Sequence, residues 1–137
     1  MEKDRAKKDL TPPHPWHWAM QMQLMKLFDT LICNEDRNAG NILIDNNWDF
    51  WLVDHTRSFR VDPIPDLVDN IQYCPRDLWR RLRNLDQQTL QGHLQEVLSN
   101  GEIEALNKRK NAIIGHLEQR ISEHGANRVL FDFYTAN

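Results

Sequence analysis

The sequence predicts a mainly α fold carrying one small β-hairpin, an α+β chain of single-domain size at 137 residues. Three observations lead there. Apolar residues recur at steps of three and four over residues 16–33 and again over 102–123, the mark of amphipathic helices. Two short apolar runs, Ile42-Leu43-Ile44 and Phe50-Trp51-Leu52-Val53, flank the turn-prone Asp45-Asn46-Asn47. Proline clusters near residues 12–15 and 63–75 keep those segments themselves out of helix interiors.

Taken in order, residues 1–15 form a basic, proline-rich leading segment that cannot be helix interior. Its lysines and arginine are expected to be solvated. The first helix carries Met20, Leu24, Leu27, Phe28, Leu31 and Ile32 on its apolar side, with Met20, Met22 and Met25 as flexible core filler. Residues 34–40, NEDRNAG, are too rich in Asn, Asp and Gly to continue it. The two hairpin runs are continuously apolar, so both faces of the hairpin are expected to be covered, with Trp48 and Trp51 as packing residues. Residues 55–75 form an irregular excursion with a short helical turn near Leu67. Leu78, Trp79, Leu82 and Leu85 mark a further helix. Asp86 caps the next, which Asn100-Gly101 is expected to stop. The long helix places Ile103, Leu106, Ile113, Ile114, Leu117 and Ile121 on one face, and Gly125 closes it. Residues 16–125 thus form the body, and 126–137 a C-terminal tail whose VLFDFY run packs back as an extended piece.

Composition excludes several classes. A net charge of −3 lacks the basic footprint of a nucleic-acid binder. Cys33 and Cys74 lie in no CxxC pair and read as reduced, buried thiols rather than a disulfide framework or zinc site. His14, His17, His93, His116 and His124 show no ligand spacing and are expected at the surface. No apolar run approaches the roughly 18 residues of a membrane span. The charged start MEKDRAKKDL has no apolar signal core, so a cytoplasmic location is expected.

The chemistry concentrates in residues 36–54. Asp36 lies in the polar loop, Asn41 immediately before the first strand, and Asp54 at the end of the second. Antiparallel pairing brings Asn41 and Asp54 to the same end of the hairpin. A carboxylate in a loop can accept the proton of an incoming hydroxyl, which is the role expected of Asp36. Mg²⁺ prefers oxygen ligands, keeps several waters, and is held by one or two side chains plus substrate phosphates, which suits Asn41 and Asp54. Arg57, close to Asp54, is a candidate for a phosphate or acidic group. Arg76, Arg80, Arg81 and Arg83 are read first as a solvated helix face, with a phosphorylated substrate as the alternative.

The pattern Asp36-Arg37-x-x-x-Asn41, hairpin, Asp54 resembles the catalytic loop and metal-binding aspartate of the protein kinase-like superfamily. Its Asp-Arg order is similar to the atypical branches, such as the phosphatidylinositol 3- and 4-kinases. LFDTLICNEDRN with WLVDHTRSFR is closer still to the Golgi casein kinase (four-jointed-like) family, and CPRDLWRRLRNL resembles the helix that follows in that group. It resembles the HipA-like and spore-coat kinases more distantly, and the chain also looks like bacterial proteins with the same kinase-like segment. The resemblance is strong over residues 27–60 and weaker to about residue 125. It implies a kinase-like C-terminal lobe over 16–125, with ATP and Mg²⁺ (or Mn²⁺) as cofactors. In it Asp36 would be the catalytic aspartate, Arg37 a brace for the loop, and Asn41 and Asp54 the metal ligands. Two positions depart from the pattern: His55-Thr56 stands where many kinases have Phe-Gly, and Asn38 where several atypical kinases have His.

The glycines, Gly40, Gly92, Gly101, Gly115 and Gly125, are scattered singly, and no lysine-bearing strand precedes the first helix. A kinase also needs a phosphate-covering loop and such a lysine. The chain is therefore expected to be a lower lobe whose N-terminal lobe lies in a longer protein or in another chain. The function that follows is Mg-ATP-dependent phosphoryl transfer to a hydroxyl acceptor, protein, lipid, sugar or small molecule, with little activity in isolation. A non-catalytic, pseudokinase-like interaction module is the alternative. A metal-dependent hydrolase built on Asp36, Asp54 and His55 is a third reading, weakened by the small number of clustered ligands. A bare cleft face also favours homo-oligomers.

Overall fold

A computed structural model describes residues 11–34, 37, 39–55, 58–61 and 66–133. The architecture is mainly α with a small two-stranded antiparallel sheet. Helix α1 (Pro15–Leu31) is followed by a short 3₁₀ turn (Ala39–Asn41) and the strands β1 (Ile42–Ile44) and β2 (Phe50–Leu52). A second 3₁₀ turn (Asp66–Asn70) leads to β3 (Cys74–Pro75). Then come α2 (Arg76–Asn84), α3 (Gln87–Leu94), α4 (Asn100–His124), a single turn α5 (Ala126–Val129) and β4 (Leu130–Phe131). Among the described residues no helix is long and apolar enough to cross a membrane.

Helix α1 is the central element because it is apolar on two sides. Leu27 enters the main core with Trp79 and Leu82 of α2, Ile113 and Leu117 of α4, and Val129 and Leu130 behind them. Met25 faces the other way, onto Ile42 and Ile44 of β1, with Trp18, Met22, Trp48 and Phe50 closing that layer. A third cluster seals α3 against α4 through Leu90, Ile103 and Leu106. Pro15 at the first helical position suits the start of α1, since its missing N–H is one the helix leaves unpaired there. The tail joins the core: β4 pairs in parallel with β3, Leu130 opposite Cys74. Burial pushes the Cys74 thiol up to about 12, so it is no nucleophile near neutrality. Both cysteines are buried, and no disulfide occurs among the described residues.

Two cations sit where the apolar steps of α4 pass from Leu106 to Ile113. Arg109 is fully buried; its Nε donates to Leu31 O at 2.8 Å and its Nη1 to Arg60 O at 2.8 Å. Lys110 Nζ donates to Leu85 O. The accepting carbonyls end α1 and follow α2, where unpaired C=O groups and the negative pole of the helix favour a cation. Polar side chains of α4 also pin the segment before β3: His116 Nε2 lies 2.7 Å from Ile71 O, and Arg120 Nε donates to Gln72 O at 3.1 Å. His116 is half-buried, not the surface histidine its spacing suggests, because this carbonyl needs a partner.

Three further expectations are corrected. The hairpin is covered on one face only. Ile42 and Ile44 are buried, whereas Leu43 and Trp51, directly opposite each other across the strands, are 41% and 61% exposed. One helix can cover only one side of a two-stranded sheet, so the alternation of strand side chains sends these two outward. Trp51 is thus no packing residue; its Nε1 donates to Asp45 Oδ2 in the turn instead. Asn100-Gly101 begins α4 rather than ending α3, because Ser99 and Glu102 close a capping box around that turn. Ser99 Oγ accepts from the Glu102 amide and Glu102 Oε1 from the Ser99 amide.

The Thr89 amide likewise holds the Asp86 carboxyl below its ordinary 3.8, and the Ser99 amide holds Glu102 below 4.5. A lowered folded-state pKa contributes stability above the unfolded value and loses it as pH falls through the folded value. The thermal midpoint should therefore drop on acidification below about pH 4.5, and the drop should be shallower in an Asp86→Asn, Glu102→Gln double variant, as a pH series of melting curves will show. Ser99→Ala should cost about 1 kcal/mol in urea unfolding at pH 7.

Candidate functional site

The site grows from the way α1 ends. Cys33 takes the left-handed conformation, φ 56°, just past the helix. Its amide donates to Thr30 O at 3.2 Å and the Asn34 amide to Asp29 O at 2.8 Å. This bond pair is a Schellman turn, with cysteine where glycine is usual. It folds the chain back across Asp29 in the last turn of α1. The Asp29 carboxylate is only 5% exposed, and a buried charge needs a partner.

Arg37 is that partner. Its Nε donates to Asp29 Oδ2 at 2.9 Å and its Nη2 to Asp29 Oδ1 at 2.8 Å, a two-pronged pairing of planar groups. Its Nη1 donates to Asn41 O at 3.0 Å and to Val53 O at 2.8 Å. These carbonyls belong to the two chain segments entering and leaving the hairpin, which also pair directly through Val53 N–H to Asn41 O at 3.1 Å. One guanidinium therefore joins the end of α1, the polar loop and the open end of the hairpin. A cleft of about 270 Å³ opens beside it, with Met25, Lys26, Thr30, Asn34 and Asn70 on its walls.

Of the residues singled out by sequence, Arg37, Asn41 and Asp54 come to this one place. Asp36 and Arg57 lie outside the described residues, as do Asn38 and Thr56. Asn41 is half-buried at the end of its 3₁₀ turn, and Asp54 is exposed one residue beyond Val53. Asp54 is held at φ 61°, which Asp tolerates better than most residues. Phe59 follows at φ 63°, its amide donating to Ile32 O at 2.6 Å. Three non-glycine residues in the left-handed region, Cys33, Asp54 and Phe59, thus border this part of the chain. Such strain costs on the order of 1–3 kcal/mol each and gathers where function constrains a backbone. The His55 ring meets Phe28 of α1 edge-on at 5.7 Å, while His55 Nε2 and Ser58 Oγ are buried without a hydrogen-bond partner among the described residues.

Asn41 and Asp54 offer oxygen donors of the kind Mg²⁺ takes, with room in its shell for water and phosphate oxygens. Among the described residues no group of three His, Cys, Asp or Glu side chains converges to hold a metal ion.

Sequence reasoning gave Asp29 no role. Its signal was nevertheless present. It falls four residues after Met25, on a buried stripe of α1, and a carboxylate at such a position calls for a nearby cation. Arg109 and Lys110 were missed similarly. No protein-family model matches the chain, and no curated protein or solved structure matches it either.

Removing one partner of the Asp29–Arg37 pair should leave a buried charge uncompensated. Arg37→Ala and Asp29→Ala are each expected to cost about 3–5 kcal/mol in urea unfolding followed by tryptophan fluorescence. A loss below about 1 kcal/mol, the range of exposed pairs, would show that the guanidinium does not hold the hairpin.

Proposed function

We propose that the chain is the lower half of a Mg-ATP-dependent phosphotransferase that passes a phosphoryl group to a hydroxyl acceptor. Asp36 orients the hydroxyl, and Asn41 and Asp54 hold the metal against the phosphates. Phosphoryl transfer asks little covalent chemistry of a protein; it asks for fixed positions and neutralised charge. The observation that carries this reading is the Arg37 clamp. It ties the hairpin end bearing Asn41 and Asp54 to the loop bearing the candidate base, and to α1 through a buried carboxylate. The strained backbone at Asp54 supports it, since one side chain is aimed at conformational cost.

The bare outer face of the hairpin fits a two-lobed arrangement. Leu43 and Trp51 are an exposed apolar pair beside the metal ligands, where a second lobe and a planar apolar group of the nucleotide would lie. His55 Nε2 and Ser58 Oγ, without a hydrogen-bond partner among the described residues, are polar groups such a complex would satisfy. The same bare face, with His55-Thr56 in place of the usual pair, favours the second reading, a non-catalytic module that docks a partner through this surface.

Calorimetric titration of Mg·ATP separates the two. Weak saturable binding is expected, reduced at least about tenfold by Asp54→Ala, a loss of roughly 1.4 kcal/mol. Equal heats from the parent chain and Asp54→Ala would remove the metal role. In a two-lobed protein, Asp36→Asn should abolish transfer while leaving Mg·ATP binding intact.

A further inference from the structure

The cleft of about 270 Å³ beside Arg37 holds more hydrogen-bond donors than its own residues engage. A guanidinium carries five N–H donors. Four of those on Arg37 are committed, two to the Asp29 carboxylate, one to Asn41 O and one to Val53 O. The remaining N–H, on Nη2, has no acceptor among the described residues, in a side chain only 8% exposed. A donor so buried normally has a partner, and an oxygen entering the cleft would supply one.

Two further donors stand on the same walls. Lys26 Nζ and the Asn70 amide make no ion pair or hydrogen bond among the described residues. Their backbone is anchored. Thr30 Oγ1 donates to Lys26 O at 2.7 Å within α1. Asn70 precedes the fully buried Ile71, whose carbonyl oxygen lies 2.7 Å from His116 Nε2, and the Gln72 amide donates to Gln23 Oε1 of α1 at 3.1 Å. The Asp29 charge is met by Arg37, so Lys26 is the one unopposed charge on the described walls. Met25 and the Lys26 stem add apolar surface beside these donors.

We propose that this cleft binds a small phosphomonoester, its phosphate on Lys26 Nζ, the remaining Arg37 N–H and the Asn70 amide. The donor set selects this occupant. A planar carboxylate is matched best by paired guanidinium N–H groups, and those of Arg37 are already engaged by Asp29. Single donors on three separate side chains suit a tetrahedral group with three terminal oxygens instead. The unopposed lysine requires that the group be an anion, and the apolar wall suits the carbon skeleton of an ester. Under the phosphotransferase reading this ester is the hydroxyl acceptor, held by the residue next to Asp36 in sequence. That role rests on the reading; the binding itself does not.

The test is calorimetric titration of the 137-residue chain with glycerol 2-phosphate, in EDTA and without nucleotide. Saturable heat with one ligand per chain is expected. Glycerol should give none, inorganic phosphate should bind more weakly than the ester, and acetate at least about tenfold more weakly. Lys26→Gln removes an exposed charge that has no described partner, so the melting curve by circular dichroism should stay unchanged while affinity falls about tenfold. Lys26→Arg should retain binding. Asp54→Ala should leave it as in the parent chain while weakening Mg·ATP. The proposal is overturned if the heat does not saturate, if acetate or inorganic phosphate binds as tightly as the ester, or if Lys26→Gln binds like the parent. Loss of binding in Asp54→Ala also overturns it, because the phosphate would then occupy the nucleotide position. If Mg·ATP binds the parent and Asp54→Ala equally while glycerol 2-phosphate still binds through Lys26, the metal role falls and this site stands.

Discussion

A single guanidinium decides whether the hairpin has a fixed place in this molecule. The sheet has only two strands of three residues each, and a lone hairpin of that size is marginal in water. Packing on α1 through Met25 secures one face. Arg37 secures the open end, holding Asn41 O and Val53 O while anchored on the buried Asp29 carboxylate. Burying this pair carries a desolvation penalty, which is offset only because four donor–acceptor contacts satisfy it. A hydrophobic replacement could stabilise the fold equally but could not grip two carbonyls at once. The pair therefore makes most sense as a device for position.

The same logic recurs on α4. Arg109 and Lys110 interrupt its apolar stripe to meet the carbonyls at the ends of α1 and α2. Helix ends buried in a core must find donors, and a long cationic side chain brings one across an interhelical gap. Arg109 reaches from Leu31 O to Arg60 O, so the base of the segment after Asp54 rests on the same residue that terminates α1. The scaffold beneath the candidate site is a set of satisfied carbonyls, with apolar packing around it.

Order below contrasts with exposure above. Trp51 and Leu43 face outward, Asp54 stands on strained backbone, and His55 Nε2 and Ser58 Oγ lack partners among the described residues. Local rules of burial and satisfaction are broken along one hairpin and in the segment that follows it. Violations of this kind concentrate where a surface is built to meet something else.

Much of this architecture was legible in residue order. The apolar periods of α1 and α4, the Asp86 cap, the stop at Gly125 and the hairpin around Asp45-Asn46-Asn47 are local features, governed by periodicity and turn chemistry over a few neighbouring residues. So was the placement of Asn41 and Asp54 at one end of the hairpin, since antiparallel pairing follows from the turn. Other features were not local. That Asp29 pairs with Arg37, that Arg109 is an interior residue, and that one face of the hairpin stays bare depend on which elements lie against each other. A charge is buried only when its neighbours in space, not in sequence, satisfy it, and a strand face is covered only if a second layer exists. Short-range propensity carries no information about either, so those outcomes belong to the packing of α1 between the hairpin and the helical core.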